Sequence, residues 1–346
     1  MTVLMKGCSM TRAILLLGAT FAFSLSVTTG HAQTLKGVKD RGSLICGVSQ
    51  GLPGFSSPDD KGNWTGFDVD FCRALAAAVL NDATKVKFTP LSAKDRFEPL
   101  KTGDIDVLSR NSTWTLSRDV SYGNFAGVTY YDGQGFLVRK ALKVNSALEL
   151  NGASICTQTG TTSELNLADF FRSNNLKYEV VAFATADETF KAYDSGRCDA
   201  FTTDASGLYA ERNRASNPDE HIVLPEIISK EPLALAVRHG DNQWGDIVRW
   251  VHYALVNAEE LGLTKANIDQ QAKADNPEIK RFVGTEGKFG ETVGLTNDWA
   301  VRIVKHVGNY GEIFERNIGE SSPLKIKRGI NALWTKGGLQ YGIPIR

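Results

Sequence analysis

Four cysteines, Cys46, Cys72, Cys156 and Cys198, offer the most distinctive covalent chemistry in this sequence, because thiols at fixed positions either pair as disulfides or hold a metal. No Cys-x-x-Cys spacing occurs, and His221, His239, His252 and His306 all stand apart from the cysteines. A metal centre is therefore not expected. Three pairings are open. Joining Cys46 to Cys72 and Cys156 to Cys198 is favoured because each bridge then stays inside one domain, and loops of that size stabilise by roughly 3–4 kcal/mol each in the chain-entropy model. A second chemistry is anion binding. Gln158-Thr159-Gly160-Thr161-Thr162-Ser163-Glu164 lies where a strand-like run meets a helical one. Such a junction presents free backbone N–H groups and a favourable dipole, with the Thr161 and Thr162 hydroxyls beside them. The same pattern is also a plain helix N-cap, so both readings stand at this point. No Gly-x-Ser-x-Gly nucleophile motif and no paired carboxylates are evident.

The elements that must position these groups alternate between strand-like and helical runs, the pattern of a parallel sheet with crossover helices. Strands are expected at Leu44 to Val48, Lys85 to Pro90 and Ile105 to Leu108, and helices at Asp68 to Leu80 and Asp95 to Thr102. The order then repeats. Strands at Ala153 to Cys156, Tyr178 to Phe183 and Asp199 to Thr202 alternate with helices at Thr162 to Ser173 and Ala186 to Ser195. Lys101-Thr102-Gly103-Asp104-Ile105-Asp106 and Asp194-Ser195-Gly196-Arg197-Cys198-Asp199 share a helix, glycine, strand cadence, which suggests two similar α/β lobes. Another strand covers Leu233 to Val237, followed by helical patterns at Trp244 to Ala258, Asn297 to His306 and Ile326 to Trp334.

At 346 residues the chain exceeds what one hydrophobic core usually supports, so two domains are expected. Its 42% apolar and 23% charged residues are ordinary for a globular protein. With 39 basic and 39 acidic residues and no run of Lys/Arg, it is not expected to bind nucleic acid. Residues 1–32 read as a secretory signal peptide: Lys6 and Arg12 are the only charges, Ala13 to Val27 is apolar or small, and Gly30-His31-Ala32 ends in small residues. Without those two charges the mature chain carries about −2. Export also places the four remaining cysteines where disulfides form.

Gly66-Phe67-Asp68-Val69-Asp70-Phe71, followed at helical spacing by Leu75, Ala76 and Val79, resembles the signature of family 3 extracellular solute-binding proteins, the periplasmic amino-acid receptors of ABC importers. The resemblance covers the mature chain, and the ending Ile330-Asn331-Ala332-Leu333-Trp334 is similar to that of the broad-specificity members. It implies an α/β, two-lobe periplasmic-binding-protein fold of type II, with a hinge of two strands and an extended C-terminal helical segment. Lobe 1 would take residues 33–132 and 234–346 and lobe 2 residues 133–233, with hinges at Tyr131 to Gln134 and Lys230 to Leu233.

By the same resemblance Arg118 clamps the ligand's α-carboxylate, a role its planar, always charged guanidinium suits. Asn111 and Thr113 add neighbouring contacts, Thr161 and Thr162 share the carboxylate, and Asp204 pairs with the α-ammonium. Simpler members often stack the ligand between two aromatics, where this sequence has Leu52 and Ala93; that implies a roomy pocket, with Phe55 and Trp114 as candidate walls. The implied partners are L-amino acids and an inner-membrane ABC permease, for a monomeric periplasmic receptor with no cofactor. The alternative is a periplasmic enzyme on the same fold, of dehydratase or murein lyase type. Catalysis requires an acid or base at the reacting centre, and a bound zwitterion would neutralise both Arg118 and Asp204.

Overall fold

The computed structural model describes residues 34–346, so the expected signal peptide at 1–32 falls outside the described residues. After helix α1 (Thr34–Arg41), strand β1 (Leu44–Val48) leads through a short hairpin, β2 (Ser57–Pro58) and β3 (Trp64–Thr65), into α2 (Phe67–Leu80). Then come β4 (Val86–Pro90), α3 (Glu98–Thr102), β5 (Val107–Thr113), α4 (Leu116–Ser121) and β6 (Asn124–Asp132). The next stretch holds β7 (Gln134–Arg139), β8 (Ala153–Gln158), α5 (Thr162–Ser173), β9 (Tyr178–Phe183), α6 (Ala186–Asp194), β10 (Ala200–Asp204), α7 (Ala205–Arg212) and β11 (His221–Val223). Strand β12 (Glu231–Val237) precedes the helices α8 (Asn242–Glu260), α9 (Ile268–Gln271), α10 (Pro277–Val283), α11 (Phe289–Thr292), α12 (Trp299–Val307) and α13 (Tyr310–Asn317).

Two five-stranded sheets result, in the orders β4-β1-β5-β12-β6 and β11-β7-β10-β8-β9. Each has a parallel centre, β1 between β4 and β5 in the first and β8 between β9 and β10 in the second. Neither sheet is wholly parallel, contrary to the alternation of the sequence. β12 runs antiparallel to β5 and β6, and β7 antiparallel to β10 and β11. The cause is that the chain passes between the sheets at one place in both directions, so a strand that runs out to the crossing and a strand that starts from it lie antiparallel. The chain leaves the first sheet after β6 with Gly133 alone as connector, and it returns directly into β12. The two crossings touch: Ile228 N donates to Gln134 O at 2.9 Å, and Gln134 N to Ser229 Oγ at 3.2 Å.

The larger core lies on the first sheet, where α2, α8, α12 and α13 bury Phe67, Phe71, Trp244, Ile303 and Phe314. Helix α2 has Asp68 and Asp70 in its first turn, where acidic residues complement the dipole, and it stops at Asn81 in the left-handed conformation. Gly66 before it has φ 134°, and a Cβ there would meet Phe55 O at 2.1 Å, so only glycine fits the motif's first position. The second sheet has smaller clusters, one around Phe136, Leu167 and Phe171 and one around Tyr193, Phe201 and Leu208. Each sheet has its own bridge, Cys46–Cys72 and Cys156–Cys198, the favoured pairing.

The helix expected over Ile326 to Trp334 does not form; only single turns occur, at Gly329–Asn331 and Trp334–Lys336. Glycines 329 and 337 have positive φ, and the segment's polar groups serve another purpose. Asn331 Oδ1 accepts from Tyr131 N at 2.7 Å while its Nδ2 donates to Tyr131 O at 2.9 Å, and Gln340 Nε2 donates to Thr129 O at 3.2 Å. The tail thus clasps β6 beside the crossing.

Candidate functional site

A cavity of about 210 Å³ lies between the two sheets, walled on one side by the 49–52 loop, Arg96 and the end of β5, and on the other by the starts of α5, α6 and α7. The first-sheet wall is cationic. Arg96 and Arg110 line the cavity, 3% and 5% exposed, and Arg118 is buried next to them. Arg96 and Arg118 place their guanidinium carbons 5.1 and 5.7 Å from the ring of Phe97. Arg110 Nε donates to Leu91 O at 3.0 Å, and Arg118 Nη1 to Thr113 O at 3.0 Å, whereas Arg96 Nε is buried with no partner among the described residues. Burial, reinforced by the charges of Arg110 and Arg118, pushes Arg96 well below its usual range. Burial likewise brings Arg110 down to about 10, against the attraction of Asp68. Three crowded, desolvated guanidiniums form a strong receptor for a carboxylate, which would relieve the cost of holding all three charged.

The second-sheet wall offers helix N-termini, hydroxyls and carboxylates. Thr161 is the N-cap of α5, accepting from Glu164 N at 3.3 Å and donating to Gln158 O at 2.7 Å. The N-cap reading of this junction therefore holds, and the cap residue also faces the cavity. Gly160, at φ 78°, brings the junction within reach of the first sheet, since a Cβ there would sit 2.9 Å from Lys94 Cα. Asp204 stands at the N-cap position of α7 yet its side chain makes no capping bond. It lines the cavity, and burial, with Asp132 and Glu231 nearby, raises its carboxyl well above the ordinary range while Arg96 and Arg118 pull it down. An ammonium placed beside it would favour its ionised form.

One carboxylate joins the walls. Glu231 at the start of β12 is 1% exposed and accepts from Thr113 Oγ1 at 2.6 Å, Thr162 Oγ1 at 2.8 Å, Asn166 Nδ2 at 2.7 Å and Ser229 Oγ at 2.6 Å. Thr113 belongs to the first sheet, Thr162 and Asn166 to the helix over the second. Thr113 and Thr162 are themselves 3.3 Å apart through their hydroxyls. Asn111 has φ 32°, a strained value for a non-glycine residue. It is held there by N–H donation to Asp68 Oδ2 at 2.8 Å, and its own Oδ1 is buried without a partner among the described residues.

Of the residues picked from the sequence, Asn111, Thr113, Thr161, Thr162, Asp204 and Leu52 line this cavity together. Arg118 stands behind the lining, near Asp204 and Glu231. Phe55 and Trp114 are not cavity walls. Phe55 is fully buried in the first core, edge-on to Phe67 and Tyr130, and Trp114 stacks on Phe125 with ring centroids 5.7 Å apart. Flat aromatic surface gains more from ring neighbours than from a polar cavity. Ala93 is buried away from the lining. Sequence reasoning missed Arg96, Arg110, Glu211 and Glu231. Arg96 in Lys94-Asp95-Arg96 looks like a solvated helix face, and its one signal is the neighbouring Phe97. Among the described residues no cluster of His, Cys, Asp and Glu is arranged to hold a metal.

Two sheets joined by two adjacent crossings, with a cavity between them that is cationic on one side and anionic on the other, define a two-lobed receptor for a small ligand, of the type II periplasmic-binding architecture. Residues 44–283 match the bacterial extracellular solute-binding proteins, family 3, and the chain belongs to that family. It is 62% identical over 326 residues to the general L-amino acid-binding periplasmic protein AapJ of Rhizobium johnstonii, covering 93% of this chain and 96% of that one. It is 54% identical over 331 residues to the glutamate/glutamine/aspartate/asparagine-binding protein BztA of Rhodobacter capsulatus, covering 95% and 98%. A solved ABC transporter periplasmic binding protein from Brucella ovis with glutathione bound superposes with a TM-score of 0.90 at 61% identity, covering 91% of this chain and all of that one.

Proposed function

We propose that this protein is a broad-specificity receptor for L-amino acids that works as a monomer in the periplasm, after loss of residues 1–32, and delivers its ligand to an inner-membrane ABC permease. The observation that carries this reading is the opposition of charge across one cavity, with Arg96, Arg110 and Arg118 on the first-sheet side and Asp204 on the other. A zwitterion supplies the missing counter-charge to both walls. In this reading Arg118 and its neighbours take the α-carboxylate, with Asn111, Thr113, Thr161 and Thr162 around it, and Asp204 takes the α-ammonium. Lobe 1 comprises residues 33–132 and 234–346, lobe 2 residues 133–233, and they turn about Tyr131 to Gln134 and Lys230 to Leu233. Support comes from the relatives, which are named for binding and not for catalysis. The relative with glutathione bound is consistent with this reading, because a γ-glutamyl peptide keeps a free α-ammonium and α-carboxylate.

A ligand shifts a two-state equilibrium only through contacts that differ between the states. The test is solution scattering with a thermal-shift panel of amino acids, glutathione and α-keto acids. L-amino acids are expected to reduce the radius of gyration, and at 100 times the dissociation constant to stabilise by about 2.7 kcal/mol. Keto acids, which leave Asp204 unpaired, should do neither. An unchanged radius at saturating ligand, or conversion of the amino acid into product, would overturn the receptor reading.

A further inference from the structure

Helix α7 has Asp204 at its N-cap, Gly207 in its first turn and Glu211 one turn on, and all three line the cavity. Steps of three and four residues put them on one helix face, with about 10 Å of helical rise between the two carboxylates. Gly207 leaves the face between them bare, since a Cβ there would meet only the side chain of Thr203, 3.2 Å from its Cγ2. At the far end Glu211 is 1% exposed; its Oε2 accepts from Arg214 Nη1 at 2.9 Å, while its Oε1 is buried without a partner among the described residues. Asp187, the other carboxylate on this part of the wall, has both oxygens engaged, by Lys191 at 2.7 Å and Arg214 at 2.8 Å. A buried acceptor left unpaired is costly, so Glu211 Oε1 is a place prepared for a donor.

We infer that Glu211 reads the ligand's side chain: with the amino acid's ammonium at Asp204, the Oε1 atom accepts from an amide, ammonium or guanidinium N–H at the distal end of a side chain laid along the bare face at Gly207. The inference rests on the amino-acid reading above and adds to it the class of side chain that is favoured. Burial brings the Glu211 carboxyl up to about 7, with Arg214 opposing and Asp187 adding to the rise. Measurement at pH 8 therefore addresses the ionised acceptor.

The experiment is calorimetric titration of the mature protein and its Glu211→Gln and Gly207→Ala variants with glutamine, glutamate and alanine at pH 8. Glu211→Gln keeps an oxygen for Arg214 and turns a donor toward the cavity. It should lower the ratio of glutamine to glutamate affinity by about tenfold or more, with alanine affinity unchanged as the control for fold and backbone grip. Gly207→Ala should weaken glutamine and spare alanine. An unchanged ratio in Glu211→Gln, or an equal loss for all three ligands in either variant, overturns the inference. Failure of the unmodified protein to bind any amino acid would instead overturn the receptor reading beneath it.

Discussion

The two walls of the cavity solve the problem of burying charge in different ways. On the first sheet the charged groups are long arginine side chains whose heads must be held by what surrounds them, and they are backed by the larger core with α2, α8, α12 and α13. On the second sheet Asp204 stands at a helix start without a capping bond, the capping side chain is the neutral Thr161, Glu211 lies at the far end of α7, and smaller clusters back the wall. Desolvated cations demand an over-determined setting; helix N-termini carry their electrostatics with them. The larger core therefore backs the cationic wall, and the smaller clusters back the wall of helix N-termini.

The sharpest way to break this comparison is to remove one sign at a time. A buried charge stripped of its partner costs roughly 3–5 kcal/mol, so Arg118→Ala and Asp204→Ala should each weaken every L-amino acid at least about a hundredfold. Titration with amino-acid amides and with keto acids then separates the walls. The amides, which lack the carboxylate, should be the less affected by loss of Arg118, and the reverse pattern would sink the assignment. Next in size come the bridges. Replacing Cys46 and Cys72, or Cys156 and Cys198, by serine should cost about 3–4 kcal/mol in either body. Hydrogen exchange should find the loss concentrated in the second sheet for the 156–198 pair, which has the smaller core to fall back on, and equal spreading over both sheets would show that the bodies are not separate cooperative units.

The smallest effect concerns Asp68, whose carboxyl burial pushes up to about 7, against the N–H of Asn111 and the charge of Arg110. A carboxyl raised in the folded state holds its proton longer there than in the unfolded chain, so between about pH 4 and pH 7 stability falls as pH rises, by at most about 1.4 kcal/mol per unit. The melting temperature of the unmodified protein should thus fall relative to Asp68→Asn on going from pH 5 to pH 8. His252, held neutral by burial down to about 4, acts in the opposite sense but is common to both proteins and cancels. A constant difference across that range would mean that Asp68 titrates normally.

Much of this was legible in the sequence where local chemistry decides the outcome. The helix over Thr162–Ser173 and the strand over Tyr178–Phe183 fall where their periodicity put them, because a threonine cap and apolar alternation are local signals. The residues gathered from the Asn111 to Arg118 stretch, the threonine junction and Asp204 meet at one cavity apart from Arg118, which stands just behind it, and Trp114, which stacks elsewhere. Hidden were the features created by tertiary placement. Strands β6 and β7 are separated by Gly133 alone, and their apolar pattern did not reveal them; the break at Tyr131 to Gln134 was legible only through the family resemblance. Glu231 precedes a proline and reads as a loop charge until four donors from two bodies converge on it. Glu211, within Glu211-Arg212-Asn213-Arg214, is indistinguishable from a solvated helix face, since only the packing of α7 turns it inward.

The clasp of the tail on β6 also sets an order of assembly. Strands β7 to β11 are contiguous in the chain, so the second sheet has all its strands once residue 223 has been made. The first body must wait for β12, and the peptide group of Tyr131 finds its partners only when Asn331 arrives. Since a chain emerges from its N-terminus, the strand carrying the passage between the sheets is among the last parts secured. A chain ending before Asn331 would possess every residue that lines the cavity and still leave the N–H and C=O of Tyr131 without these partners beside the crossing between the sheets.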